Sequence, residues 1–366
     1  MPTREGRIAE LDALRGFAAL AVVLYHFTTR FETLFGHAGA LAATFPWGEY
    51  GVDFFLMLSG FVILRSLDRT PRASDFVVGR FARLYPAYWA AGAITFGVVC
   101  WFGLPGQEIG LGEAALNVTM LQRQLGARHL DGAYWSLEVE LFFYALALAL
   151  HRAGAFRTAR RQYLTLSLWL LAEAVSIWAV SHGGAGMDRS WTIRFVGKLQ
   201  VLFSLRFAHL FTVGIVLYQA GRSRRMCAAA GVLLSACSAI QAIVDSWGAA
   251  VGMAGLAGLL YLAVNGRLTW LAARPLVFLG GISYPLYLVH QNVGYVIIRE
   301  LESRGVGPMA AISLALATSL AAAVALSLGV ERPAQRLMVK RGSKREAASS
   351  RLDDLSPITE GAVLQA

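Results

Sequence analysis

The chain has 366 residues, 56% of them hydrophobic and only 15% charged, with a formal net charge of +10. Soluble domains run at roughly 45–50% and 25% on these two counts. The composition therefore excludes a disordered chain, a disulfide scaffold and an ordinary cytosolic enzyme, and points to a polytopic membrane protein. The three cysteines, Cys100, Cys227 and Cys237, form no CxxC pair and lie in apolar runs, where they read as packing residues rather than metal ligands.

A transmembrane helix needs about 20 mostly apolar residues. In chain order, such segments fall at 10–27, 52–67, 84–102, 134–151, 163–181, 199–219, 226–244, 247–264, 276–298 and 309–330. The expected fold is an all-α membrane helix bundle of about ten transmembrane helices. Alternate loops, counted from the N-terminus, hold 23 lysines and arginines, and the opposite set holds 8. The positive-inside rule then places both termini in the cytoplasm, which requires an even number of spans. The same sorting explains the basic charge without nucleic acid. The longest outside loops, about 28–50, 103–133 and 182–198, are long enough to form a lid or a binding surface. From residue 334 the composition turns polar and basic, so 334–366 reads as a disordered cytoplasmic tail.

Ionisable residues inside a span cost about 2.5–3.5 kcal/mol each on insertion scales, so each needs a reason. Arg15 and His26 share the first span and are eleven residues apart, close to three turns, which puts them on one helix face roughly 16 Å apart along the axis. A snorkelling Arg15 and a His26 at the outer end would also satisfy this pattern. Arg80 and Arg83 lie three apart on one face where span three begins, and paired guanidinium forks suit phosphates. Positive-inside flanking is the plainer account of that pair.

Asp53 and Ser59 open span two, where Asp53 could simply cap the helix. Glu138 and Glu140 fall near the outer end of span four and cannot face the same way. Span nine holds Tyr284, Pro285, Tyr287 and His290, with a kink expected at Pro285, although its tyrosines and histidine could also be interface residues. Arg206 and His209 in span six and Glu331 at the inner end of span ten complete the set. No HExxH or compact His/carboxylate set appears, so no metal is expected. Histidine, arginine and carboxylates recurring toward one membrane face, with paired arginines at the other, make a site-like pattern.

These residues carry a resemblance. Glu10-Leu11-Asp12-Ala13-Leu14-Arg15-Gly16, closing on Leu24-Tyr25-His26-Phe27, resembles the opening of acyltransferase family 3, integral-membrane O-acyltransferases of sugars and related acceptors. Gly51-Val52-Asp53-Phe54-Phe55 through Ser59-Gly60-Phe61, the Arg80/Arg83 pair, Trp135-Ser136-Leu137 through Glu140 and Tyr144, Ser283-Tyr284-Pro285-Leu286-Tyr287 through His290, and Glu331-Arg332-Pro333 resemble later blocks in order. Leu141 stands where relatives often carry a second acid after Glu140, and Glu138 occupies a position that is usually small.

The resemblance implies a transmembrane acyltransferase domain over 1–333, of the stand-alone type, in a bacterial inner membrane. It implies His26 as catalytic base or acyl carrier with Arg15 as its partner, and Arg80 and Arg83 on the donor. The co-substrate would be acyl-CoA, acetyl-CoA above all, and the acceptor a hydroxyl of a carbohydrate. Asp53 and Glu140 could orient the imidazole, and Ser59, Glu138, Tyr284, Tyr287, His290 and Glu331 are further polar candidates. The rival class is a glycan or lipid-intermediate exporter with a polar midplane site.

Overall fold

The computed structural model describes residues 8–182, 189–223 and 226–338, which contain helices and connecting loops and no strand. Arg4, Arg7, Arg224, Arg225 and the tail beyond Met338 lie outside the described residues. Of the expected tail, residues 334–338 continue the last helix.

The helices are α1 (Ala9–Tyr25), α2 (Phe31–Leu34), α3 (Tyr50–Leu67), α4 (Ala73–Phe102), α5 (Leu111–Asn117), α6 (Trp135–Arg152), α7 (Ala159–His182), α8 (Arg189–Leu202), α9 (Ala208–Ser223), α10 (Ala228–Val244), α11 (Trp247–Val264), α12 (Arg274–Val289), α13 (Gln291–Ser303) and α14 (Pro308–Leu326). Seven stretches are long and apolar enough to cross a membrane, namely Ala9–Leu34, Pro46–Leu67, Ala73–Phe102, Gly132–Arg152, Ala159–His182, Trp247–Val264 and Pro308–Met338. The pair Ile193–Leu202 and Leu205–Arg222, bent by 66°, makes an eighth if it is one broken span. The protein is thus an all-α polytopic membrane bundle with seven or eight candidate spans among the described residues. The other two expected segments are also helical: α10 is apolar but shorter, and 276–298 is divided between α12 and α13.

Three departures from the sequence expectation shape the site. First, α1 does not stop near Phe27. It runs on through a π-helical turn, His26–Arg30, into α2, and a second π-turn, Ser327–Glu331, ends α14. Each π-turn holds one of the singled-out residues, His26 and Glu331, and widened turns of this kind often accompany functional positions. Second, α4 continues unbroken through Pro86, so Arg80 and Arg83 sit within a 30-residue helix instead of at its start.

Third, α12 passes through Pro285 without interruption, and the break in the helix falls at His290. Side chains explain it. The Asn292 N–H donates to Asp131 Oδ2 (3.0 Å) rather than to the Leu288 carbonyl, which accepts instead from the Tyr134 hydroxyl (3.0 Å). The Asp131–Tyr134 segment thereby takes over one rung of the helix ladder.

Helices in an apolar solvent associate through close packing, which small residues permit. A Cβ on Gly280 of α12 would lie 1.8 Å from the Asp12 carbonyl oxygen of α1, and one on Gly214 of α9 would lie 1.8 Å from the Met57 carbonyl oxygen of α3. These two crossings hold the helices that carry Arg15 and Ser59. Gly280→Ala must push α1 and α12 apart and is expected to cost about 1–3 kcal/mol. The measurement is the thermal midpoint of the purified protein, against Gly255→Ala, whose added methyl meets open space.

Candidate active site

Two of the cavities among the described residues are lined by the singled-out polar residues. The first is a small chamber of about 90 Å³ walled by α1, α3, α4, α6 and α12. Arg15, Ser59, Arg80, Arg83, Glu140, Tyr144, Tyr284 and Tyr287 supply most of its polar surface. One Glu140 oxygen, Oε1, accepts from the Tyr144 hydroxyl at 2.5 Å and from the Ser59 hydroxyl. Arg83 is held at 2.9 Å by the buried Glu331, and its guanidinium lies 5.9 Å from the Tyr284 ring centroid. Arg80 donates to Ser66 Oγ (3.2 Å) and lies over the rings of Phe76 and Tyr144. Three guanidiniums therefore face two carboxylates: Glu140, already occupied by two hydroxyls, and Glu331, paired with Arg83. The chamber is short of negative charge and suits an anionic guest.

The second cavity, about 460 Å³, contains His26 and Asp53, with Tyr25, Arg30, Glu49, Tyr50, Trp135, Arg206, His209, Gln241 and Asp245 among its walls. His26 Nδ1 lies 2.9 Å from the Val22 carbonyl oxygen and 3.2 Å from His290 Nε2. His290 Nδ1 in turn lies 2.8 Å from the Tyr287 carbonyl oxygen. A carbonyl only accepts, so both Nδ1 atoms carry the hydrogen in this assignment. His290 Nε2 is then a lone pair facing His26 Nδ1–H, and His26 Nε2 keeps its own lone pair. Among the described residues, Nε2 is the His26 ring nitrogen without a hydrogen-bond partner. The arrangement presents a neutral imidazole with its basic nitrogen available at a cavity, the form needed to accept a proton.

The two cavities have one lining residue in common, Val52. The Tyr287 hydroxyl sits 2.7 Å from Ser136 Oγ and donates to the Ala133 carbonyl at 2.8 Å. Tyr287 and Ser136 face the arginine chamber, and the Tyr287 ring lies 5.7 Å from that of His290.

The structure thus gathers ten of the twelve residues that the resemblance marks around these two spaces, eight facing the chamber or its Arg83 clamp and His26 and Asp53 facing the cavity. His290 is the direct partner of His26. Glu138, two residues from Glu140, turns away on the opposite side of α6 and lines neither space. Arg15 faces the arginine chamber, three turns below His26, and so keeps company with Arg80 and Arg83. Neither Asp53 nor Glu140 hydrogen-bonds His26 among the described residues: Asp53 accepts from Gln241 Nε2 at 3.4 Å, and Glu140 is held by Ser59 and Tyr144. The side chain within hydrogen-bond distance of His26, where a carboxylate was expected, is the ring of His290.

Sequence reading passed over Val52, Gln241 and Glu173. The first two carry no local signal. Glu173 did: it is a carboxylate in the middle of an apolar helix. His209, expected to share a groove with Arg206, is instead buried between Glu173 and Gln241, while Arg206 stays exposed over the Phe207 ring, 5.9 Å from its centroid.

The acyltransferase domain family matches residues 8–328. Among individual relatives, the acyltransferase MdmB of Streptomyces mycarofaciens is 26% identical over 402 aligned positions, covering 98% of this chain and 100% of its own length. BcsY of Komagataeibacter xylinus, provisionally named a membrane-bound transacylase, is 25% identical over 78% of this chain and 72% of its own. ORF330 of Acidianus two-tailed virus, provisionally named an acetyltransferase, is 29% identical over 152 residues, and the match spans 42% of its length. No solved structure matches. With the family match running from the start of α1 into the last π-turn, the chain belongs to the acyltransferase domain family, as a multi-pass membrane member.

Proposed function

We propose that the protein is an O-acyltransferase that moves an acyl group, acetyl in the first instance, from acyl-CoA to a hydroxyl of a carbohydrate acceptor. In this reading the chain crosses a bacterial inner membrane ten times with both termini in the cytoplasm, so the arginine chamber faces inward and the His26 cavity outward. Arg80 and Arg83 hold the donor's phosphates at the inner mouth, and Arg15 continues that positive track toward Val52. His26 Nε2 takes the proton from the acceptor hydroxyl as its oxygen attacks the thioester carbonyl. The tetrahedral intermediate expels the CoA thiolate, and the proton passes from the imidazolium to that sulfur. The products are an ester, free CoA thiol and a neutral histidine.

The observation that carries this reading is the meeting at Val52 of an anion-seeking chamber and a cavity holding a free imidazole nitrogen. Acyl transfer needs both at one junction. The test is acetyl-CoA turnover by the purified protein in the presence of methyl glycosides. CoA release with formation of an acetylated glycoside supports the reading, and an exporter would leave acetyl-CoA intact. In the same assay Arg80→Ala and Arg83→Ala are each expected to raise the donor KM by roughly 10-fold or more, the worth of a charge-assisted hydrogen bond. An unchanged donor KM in both would return these arginines to a purely topological role.

A further inference from the structure

A chain of buried polar groups ends at Asp53. Glu173 on α7 is fully buried and presents Oε1 to His209 Nδ1 at 2.6 Å, while its Oε2 accepts the main-chain N–H of the same residue at 2.9 Å. His209 Nε2 lies 2.6 Å from Gln241 Oε1, and Gln241 Nε2 donates to Asp53 Oδ2 at 3.4 Å. His209 and Gln241 are buried as well.

The proton positions follow from the chemistry. The Gln241 amide must aim its NH₂ at the Asp53 carboxylate, so its oxygen faces His209. An amide oxygen only accepts, hence His209 Nε2 carries a hydrogen. Nδ1, against a carboxylate, completes a donor on each side. With Glu173 and Asp53 ionised the ring is an imidazolium paired with Glu173, and the amide passes on its polarity as a hydrogen-bond donor to Asp53.

A buried charge pair of this kind is a poor way to stabilise a bundle, since well-packed apolar residues do as well or better. Of its members, Asp53, His209 and Gln241 reach the His26 cavity, and Glu173 serves them from behind. We propose that Glu173, His209 and Gln241 are positioning residues that hold Asp53 as an acceptor-binding carboxylate in the His26 cavity, where it takes a hydrogen bond from a second hydroxyl of a polyhydroxylated acceptor and so presents the neighbouring hydroxyl to His26. The proposal rests on the acyltransferase reading and names the acceptor feature it requires: at least two hydroxyls, one held and one acylated.

The test uses the full-length protein in detergent with acetyl-CoA as donor and methyl glycosides as acceptor probes. Gln241→Met removes the amide at similar volume, and Gln241→Glu still accepts from His209 while losing the donor to Asp53. Both are expected to raise the acceptor KM roughly 10- to 100-fold, the range for a hydrogen bond to a charged group, while the donor KM stays put. A merely structural glutamine would change both constants or neither, and either of those results overturns the proposal. With n-butanol, a singly hydroxylated probe, the loss in each variant is expected to be smaller than with the glycosides, and an equal loss on both probes also overturns it. Nitrogen NMR of labelled histidine reads the buried chain without any acceptor. Two protonated nitrogens on His209, kept in Gln241→Glu and lost in Glu173→Gln, support it, and a neutral His209 in the wild type sinks it. If acetyl-CoA is never consumed, the acyltransferase reading fails while the NMR result still decides the buried chain.

Discussion

Replacing His26 by alanine is expected to lower acyl transfer by roughly 10²–10⁴-fold, the usual contribution of a general base, at unchanged abundance in the membrane. The reason lies in the hydrogen assignment. Nδ1 is committed to the Val22 carbonyl and to His290, which leaves Nε2 as the ring's basic atom at the cavity. His26→Gln keeps polar bulk but has no comparable base, so it should lose as much. Measured initial rates of acetyl-CoA-dependent ester formation, normalised to protein in the membrane, check this. Transfer within threefold of wild type would remove His26 from the chemistry, and an acetylated His26 trapped after donor addition alone would make it an acyl carrier instead.

The second large effect is expected at a residue with no polar atom in its side chain. Val52 is the lining shared by the arginine chamber and the histidine cavity, so in the proposed reaction the thioester must pass it. Val52→Trp should close that passage. Since misplacement of a reacting group by about 1 Å already costs on the order of 10²-fold, the loss should be at least of that size. Donor binding in the chamber beyond it should be retained, measurable as CoA affinity by calorimetry. Val52→Ala widens the same point and is expected to shift preference toward longer acyl-CoA donors. If Val52→Trp transfers acetyl at the wild-type rate, donor and base meet by another route, and if CoA binding disappears with it, the substitution has collapsed the chamber and Val52→Phe replaces it in the same comparison.

These expectations draw unequally on sequence and structure. Membrane class, helical segments and the handful of ionisable residues that needed a reason were legible in the chain, because hydropathy and charge are local properties. Even there, breaks in the helices escaped notice. The helix is interrupted at His290 and not at Pro285, since the decisive groups, Asp131 and Tyr134, stand about 160 positions from the rung they replace.

What the amino-acid order determined by itself is a polytopic helical bundle whose first span carries Arg15 and His26 three turns apart on one face. Which groups meet was decided only in three dimensions. His26 pairs with His290, Arg83 with Glu331, and Glu173 with His209, across separations of 264, 248 and 36 residues. The crossing at Gly280 lays α12, which leads into His290, against α1, which leads into His26. Hydrogen bonds act over about 3 Å, so a residue's partner is settled by how closely two backbones approach, and periodicity along one helix carries no record of that.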